Sequence, residues 1–170
     1  MTDLKAQVFI DPPADFACKI EVATCYIRSG NELLFVLRNP DSFQGGVWAI
    51  PGGKLNRGQE VESEMIREVL EETSIDLTGK QIQSFGAVYI RLPNFDYIYH
   101  MFGILLEGER PKIVLNPEEH IDFAWLSLKE GLARPLILFE DACTFLVWND
   151  PFFDGCEKPQ VRVSSNSQAI

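Results

Sequence analysis

Histidine is scarce in this chain of 170 residues, which holds only His100 and His120, and its four cysteines (Cys18, Cys25, Cys143 and Cys156) never stand as C-x-x-C. A zinc site or a redox pair is therefore not indicated. Cys18 and Cys25, seven apart on one strand candidate, are expected to face opposite sides, and all four cysteines to be reduced thiols. Positive charge is also in short supply. The 15 basic residues stand against 25 acidic ones for a net charge of -10, which argues against a broad nucleic-acid surface, because phosphate backbones need clustered Lys and Arg. No apolar run approaches the ~20 residues that span a bilayer, and Met1 to Lys5 is not followed by a signal-peptide core. These absences predict a cytoplasmic protein with no membrane partner. No internal repeat is visible, and the length suits one domain over residues 1–162, with 163–170 as a polar, frayed tail.

What the chain does have is a dense acidic segment. Arg67-Glu68-Val69-Leu70-Glu71-Glu72 arrives shortly after Pro51-Gly52-Gly53. On a helix, Glu68, Glu71 and Glu72 stand at i, i+3 and i+4, so three carboxylates share one face. Like charges so spaced destabilise a helix by roughly 0.2–0.5 kcal/mol per pair, and Arg67 alone cannot neutralise three. A hard divalent cation can, since Mg²⁺ takes oxygen ligands and completes its shell with water and substrate phosphates. The bland alternative is a solvated acidic face. The apolar residues Val61, Met65, Ile66, Val69 and Leu70 mark the buried side of a helix over 61–73, with Glu60, Glu64, Glu68, Glu71 and Glu72 largely opposite.

The segment from Gly53 to Ile75 resembles the signature of the Nudix hydrolases, G-x5-E-x7-R-E-U-x-E-E-x-G-U with U a bulky aliphatic residue. Gly53, Arg67, Glu68, Val69, Glu71, Glu72 and Ile75 match, while Gln59 replaces the first glutamate and Ser74 the second glycine. The resemblance implies an α+β fold, an α/β/α sandwich around a mixed β-sheet. It also implies Mg²⁺-dependent hydrolysis, with Mn²⁺ as the alternative ion, of a phosphoanhydride in a nucleoside di- or triphosphate derivative. By the same resemblance Glu68, Glu71 and Glu72 are metal and catalytic carboxylates, Arg67 orients one of them, Gly53 offers a backbone carbonyl, and the position of Gln59 supports Arg67. A further acid is expected from a distant loop, Glu119 in preference to Glu118. Arg38, Arg91 and Tyr99 are the substrate-binding candidates, for phosphate and base respectively. Neither histidine is expected to be catalytic. The expected partner is a small nucleotide-type molecule, and a homodimer is left open. Two other readings stay in view: a ligand-sensing module of the same fold without turnover, favoured by Gln59 and Ser74, and a nucleotide-sugar hydrolase attacking carbon.

Elsewhere, residues 20–28 and 33–37 read as a hairpin about Ser29-Gly30-Asn31, and 82–92, 97–106 and 121–126 as strands. Residues 139–148 read as a final helix with Ala142, Phe145, Leu146 and Trp148 on its apolar side.

Overall fold

Runs of β-branched and aromatic residues dominate the chain, and in the computed structural model they form one sheet of eight strands among the described residues, 7–137 and 139–160. The tail at 163–170 lies outside the described residues. The strands are β1 (Gln7–Phe9), β2 (Cys18–Ser29), β3 (Glu32–Arg38), β4 (Trp48–Ala49), β5 (Gly52–Lys54), β6 (Gln83–Arg91), β7 (Asp96–Leu106) and β8 (His120–Leu126). Three α-helices accompany them: α1 (Val61–Thr73), α2 (Leu128–Leu132) and α3 (Glu140–Val147). The order across the sheet is β1-β6-β7-β2-β3-β4, with β5 joining β2 and β8 joining β3. The long central β2 runs parallel to β7 and the other pairs are antiparallel, so the sheet is mixed, as the family resemblance implies.

The hairpin of β2 and β3 is paired only at Arg28 with Leu33 and Ser29 with Glu32. Beyond that the two strands diverge, β3 taking β8 and β4 while β2 takes β5. The glycine pair enters this opening. Val22, Ala23 and Thr24 face Lys54, Gly53 and Gly52 across the β2–β5 ladder, and the N–H of Cys25 donates to the Pro51 carbonyl at 2.9 Å. The backbone of the acidic motif's loop is thereby built into the centre of the sheet.

Side-chain alternation on the strands splits the core into two layers. Tyr26, Phe35, Tyr99, Met101 and Phe153 pack with Cys143 of α3 on one side. Ala23, Cys25, Ile27 and Leu34 pack with Met65 and Val69 of α1 on the other. A helix on each face of a mixed sheet is the expected sandwich. Cys18 is exposed and Cys25 fully buried, and all four cysteines are free.

Two helix faces differ from their hydrophobic patterns. α3 turns Glu140, Cys143 and Thr144 inward, leaving Phe145 and Leu146 40% and 48% exposed. α1 covers exactly the predicted span, but buries Glu64 and Glu72 and leaves Leu70 43% exposed. In both cases hydrogen bonds to the inward polar groups offset the cost of burying them, which a hydrophobicity pattern does not register. On α3, the Glu140 carboxylate takes the Tyr99 hydroxyl, and Thr144 lies 3.0 Å from the Tyr26 hydroxyl. The short strand β1 and helix α2 were not anticipated. The second carries a readable signal, the capping box formed by Ser127 and Glu130.

Candidate active site

The acidic cluster begins with Gly52 and Gly53. Gly52 has φ +144, and a Cβ there would lie 2.1 Å from the Ala23 carbonyl oxygen, so only glycine can run this close to β2. Its N–H donates to Glu72 Oε2 at 2.8 Å. A Cβ on Gly53 would lie 2.2 Å from Glu68 Oε2. The loop backbone and the two carboxylates one helical turn apart are thus in direct contact.

The loop before β8 supplies the opposite wall. It is tied to the end of α1 by three bonds: Asn116 N–H to the Glu72 carbonyl at 3.2 Å, Val114 N–H to the Thr73 carbonyl at 3.1 Å, and the Ser74 hydroxyl to the Val114 carbonyl at 3.1 Å. Glu119, half-buried, then accepts from the Asn116 side-chain amide at 2.8 Å, while Glu118 is exposed. Ligand atoms of Glu72, Glu119 and His120 all fall within 4.8 Å of one another. His120, set aside on sequence grounds, is buried, with Nε2 3.9 Å from Glu72 Oε1 and with Nδ1 making no hydrogen bond among the described residues.

Electrostatics sharpen the picture. Burial pushes the Glu72 carboxyl far above its ordinary value; the Gly52 N–H opposes this, and Glu119 and Glu68 add to the rise. Burial also raises Glu68, against the pull of Arg67. Burial, and then the Arg38 charge, lower His120 to about 4, so its ring is neutral near pH 7. The set therefore consists of crowded carboxylate oxygens beside a neutral imidazole, which offers one acceptor and only a single N–H donor. A hard divalent cation fits such a set, because it relieves the repulsion and restores the charged carboxylates. Glu72 and Glu119, joined by Glu68 and the Gly53 backbone, are the residues that would hold it.

The remaining predicted residues are placed as follows. Arg67 donates to Glu64, to Glu68, and to Glu71 at 3.0 Å, while Glu71 itself is mostly exposed at the rim. Arg38 donates to the Phe43 carbonyl at 2.9 Å, and its charge acts on Glu72 and His120. Tyr99 is buried beneath α3, between the Thr24 hydroxyl and the Glu140 carboxylate. Arg91 is committed elsewhere, to Asp96 at 2.9 Å and Asp15 at 3.1 Å. Gln59 does not support Arg67. It is exposed, its side-chain amide bonds nothing among the described residues, and Glu64 occupies Arg67 instead. Geometry explains the change, since Glu64 is one helical turn from Arg67 whereas Gln59 precedes the helix.

Comparison with known proteins identifies the family of this fold. A family profile described as "NUDIX domain" matches residues 19–144. Nudix hydrolase 2 of Arabidopsis thaliana is 34% identical over 126 residues, covering 74% of this chain and 45% of that protein. An NAD-capped RNA hydrolase NudC of Haemophilus influenzae is 31% identical over 107 residues, covering 62% of this chain and 38% of that protein. The chain thus spans less than half the length of these curated relatives. The MutT protein of Methanosarcina mazei superposes with a TM-score of 0.60 at 30% identity, covering 72% of this chain and 88% of the other. A profile spanning most of the chain, on a fold that brings the signature loop and helix together, settles the kinship: the chain belongs to the Nudix hydrolase family.

Proposed function

We propose that this protein hydrolyses a phosphoanhydride in a nucleoside diphosphate joined to a further moiety, or in a nucleoside triphosphate, with Mg²⁺ or Mn²⁺ and by attack of water on phosphorus. The observation that carries the reading is the convergence of Gly53, Glu68, Glu72 and Glu119 from three separate parts of the chain. The ion, when bound, supplies charge neutralisation on the phosphates and a lowered pKa for water.

Arg67 holds Glu68 through Oε1, leaving Oε2 at the Gly53 backbone, where it accepts the proton of the attacking water. Glu71 completes the acidic set at the rim. Arg38 is the cation best placed for a substrate phosphate, since the donors of Arg91 are already used by carboxylates. Tyr99 lies buried in the core layer beneath α3, its hydroxyl held by Thr24 and Glu140, so stacking on a base does not fall to it. The NudC relative is named for hydrolysis of NAD-capped RNA, whose cap contains a diphosphate bridge, and this supports the same bond class. The free thiols agree with action in the cytoplasm.

The test is a panel of nucleoside triphosphates, nucleotide sugars and dinucleotides assayed with Mg²⁺ and Mn²⁺ in H₂¹⁸O. Label in a phosphate product is expected. Label in a sugar product would place the attack at carbon, and tight binding without any turnover would leave a sensing module.

A further inference from the structure

The loop between Gly53 and α1 determines how the glycine backbone meets the helix that carries Glu68, yet residues 55–60 belong to no strand or helix. One side chain spans the gap. Glu64 Oε2 accepts from the Asn56 N–H at 2.9 Å and from Arg67 Nη2 at 3.0 Å, and Glu64 Oε1 accepts from Arg67 Nε at 3.2 Å. The same Arg67 Nη2 also donates to Glu68 Oε1. The Glu64 side chain is 10% exposed, much less than the partners of an ordinary surface ion pair. A two-point carboxylate–guanidinium pair fixes direction as well as distance, and here it joins a loop N–H to the guanidinium that holds Glu68 against Gly53.

We propose that Glu64 is a positioning residue of the hydrolytic site, clamping the glycine loop and Arg67 together so that Glu68 is presented to the cation and to water. The proposal rests on the reading of Glu68 as a metal-site carboxylate. Nothing else among the described residues performs this task. Glu60 is occupied in capping α1 through the N–H groups of Glu62 and Ser63, and Gln59 faces solvent. The family signature leaves the position of Glu64 unspecified, so the residue cannot be singled out from the motif.

The experiment compares wild type with E64Q and Q59A. Free Mn²⁺ is followed by electron paramagnetic resonance, folding by circular dichroism and thermal melting, and kcat and KM on the substrate found in the panel. E64Q preserves shape and an acceptor for the Asn56 N–H but removes the charge facing Arg67. It is expected to weaken Mn²⁺ binding by about 10–100-fold, the usual effect of losing a group that orients a metal ligand, and to lower kcat more than it raises KM. Q59A is expected to match wild type in both. An E64Q protein that melts earlier but binds Mn²⁺ like wild type would reduce Glu64 to a structural ion pair. A tenfold loss in Q59A would move the clamp to the other residue. Should E64Q fail to fold, E64D serves in its place, since it keeps the charge but withdraws it from one of its two partners; wild-type Mn²⁺ affinity there overturns the proposal. Wild-type protein that binds no Mn²⁺ defeats the hydrolase reading itself, whereas wild-type binding with an indifferent E64Q defeats only the clamp.

Discussion

A carboxylate buried as deeply as Glu72 is a liability to the folded chain unless something positive accompanies it. Its folded pKa is raised, so its contribution to stability is present below the ordinary carboxylate range and lost as pH rises through the folded value. At neutral pH without a divalent ion, E72Q should therefore melt higher than wild type, because the amide still accepts from the Gly52 N–H while the charge is gone. On the proposed reading Mg²⁺ should raise the melting temperature of wild type, and the same variant should lack that response and lose at least about 100-fold in turnover, more than a group acting only through a ligand costs. Glu119→Gln should weaken the Mg²⁺ response, with added ion recovering part of the activity, and Glu118→Gln should do neither. Thermal melts with and without Mg²⁺ decide both comparisons; a metal-free E72Q that melts lower would show that the charge is satisfied within the protein alone.

Ser74 shows how an element end positions a distant residue. It caps α1 in the left-handed region at φ 61, a conformation that costs a non-glycine residue roughly 1–2 kcal/mol. Its hydroxyl recovers part of that through Val114, and the bond fastens the loop that delivers Glu119. Ser74→Ala keeps the strain and loses the bond, so it should destabilise by about 1 kcal/mol, whereas Ser74→Gly should be near neutral in urea unfolding. Equal effects would mean that the bond carries no weight. What was legible beforehand follows the same logic. The span of α1 and the main strands could be read because each has a local pattern, and the mixed sheet because the family resemblance implies it; the choice of Glu119 in the loop before β8 rests on that resemblance and not on any local pattern. The inward turn of Glu72 on α1 and of Glu140 on α3 could not be read, because they depend on hydrogen bonds closed between segments far apart in the chain; nor could the pairing of Glu64 with Arg67 in place of Gln59, or the burial of His120, which follow from side-chain packing that no motif or periodicity encodes. The divergence of β2 from β3 has no local signal either, since β5 is too short to announce a strand.

At the scale of the whole molecule, two groups of carboxylates pull the pH dependence in opposite directions. Exposed Glu60, Asp76 and Glu130, and the buried but well-partnered Glu64 and Asp96, are lowered by hydrogen bonds and ion pairs, so their contribution is present above the unfolded value and lost only in acid. Buried Glu68, Glu72 and Glu140 are raised, and between pH 5 and 8 they dominate. Glu140 alone, moved by burial from 4.5 to about 7, contributes on the order of 3 kcal/mol that fades as pH climbs through that interval. It is faced by Tyr99, the Ile50 N–H, Asp141 and Arg38. Denaturation of the metal-free protein should show stability falling from pH 5 to 8, with E140Q flattening the slope and Mg²⁺ opposing it most at the alkaline end. A metal-free curve that rises over this range would contradict the assignment.

The two adjacent glycines of the motif also set how the family's chemistry can be lost by descent. A methyl group on Gly52 would strike backbone atoms of Ala23 and Thr24, so change there is purged with the fold. A methyl group on Gly53 would meet only the tip of the Glu68 side chain, which can swing aside. One nucleotide change separates a glycine codon from an alanine codon. A lineage could therefore step from hydrolysis to ligand retention on an intact scaffold through Gly53, and such a change would leave every strand of the sheet where it stands.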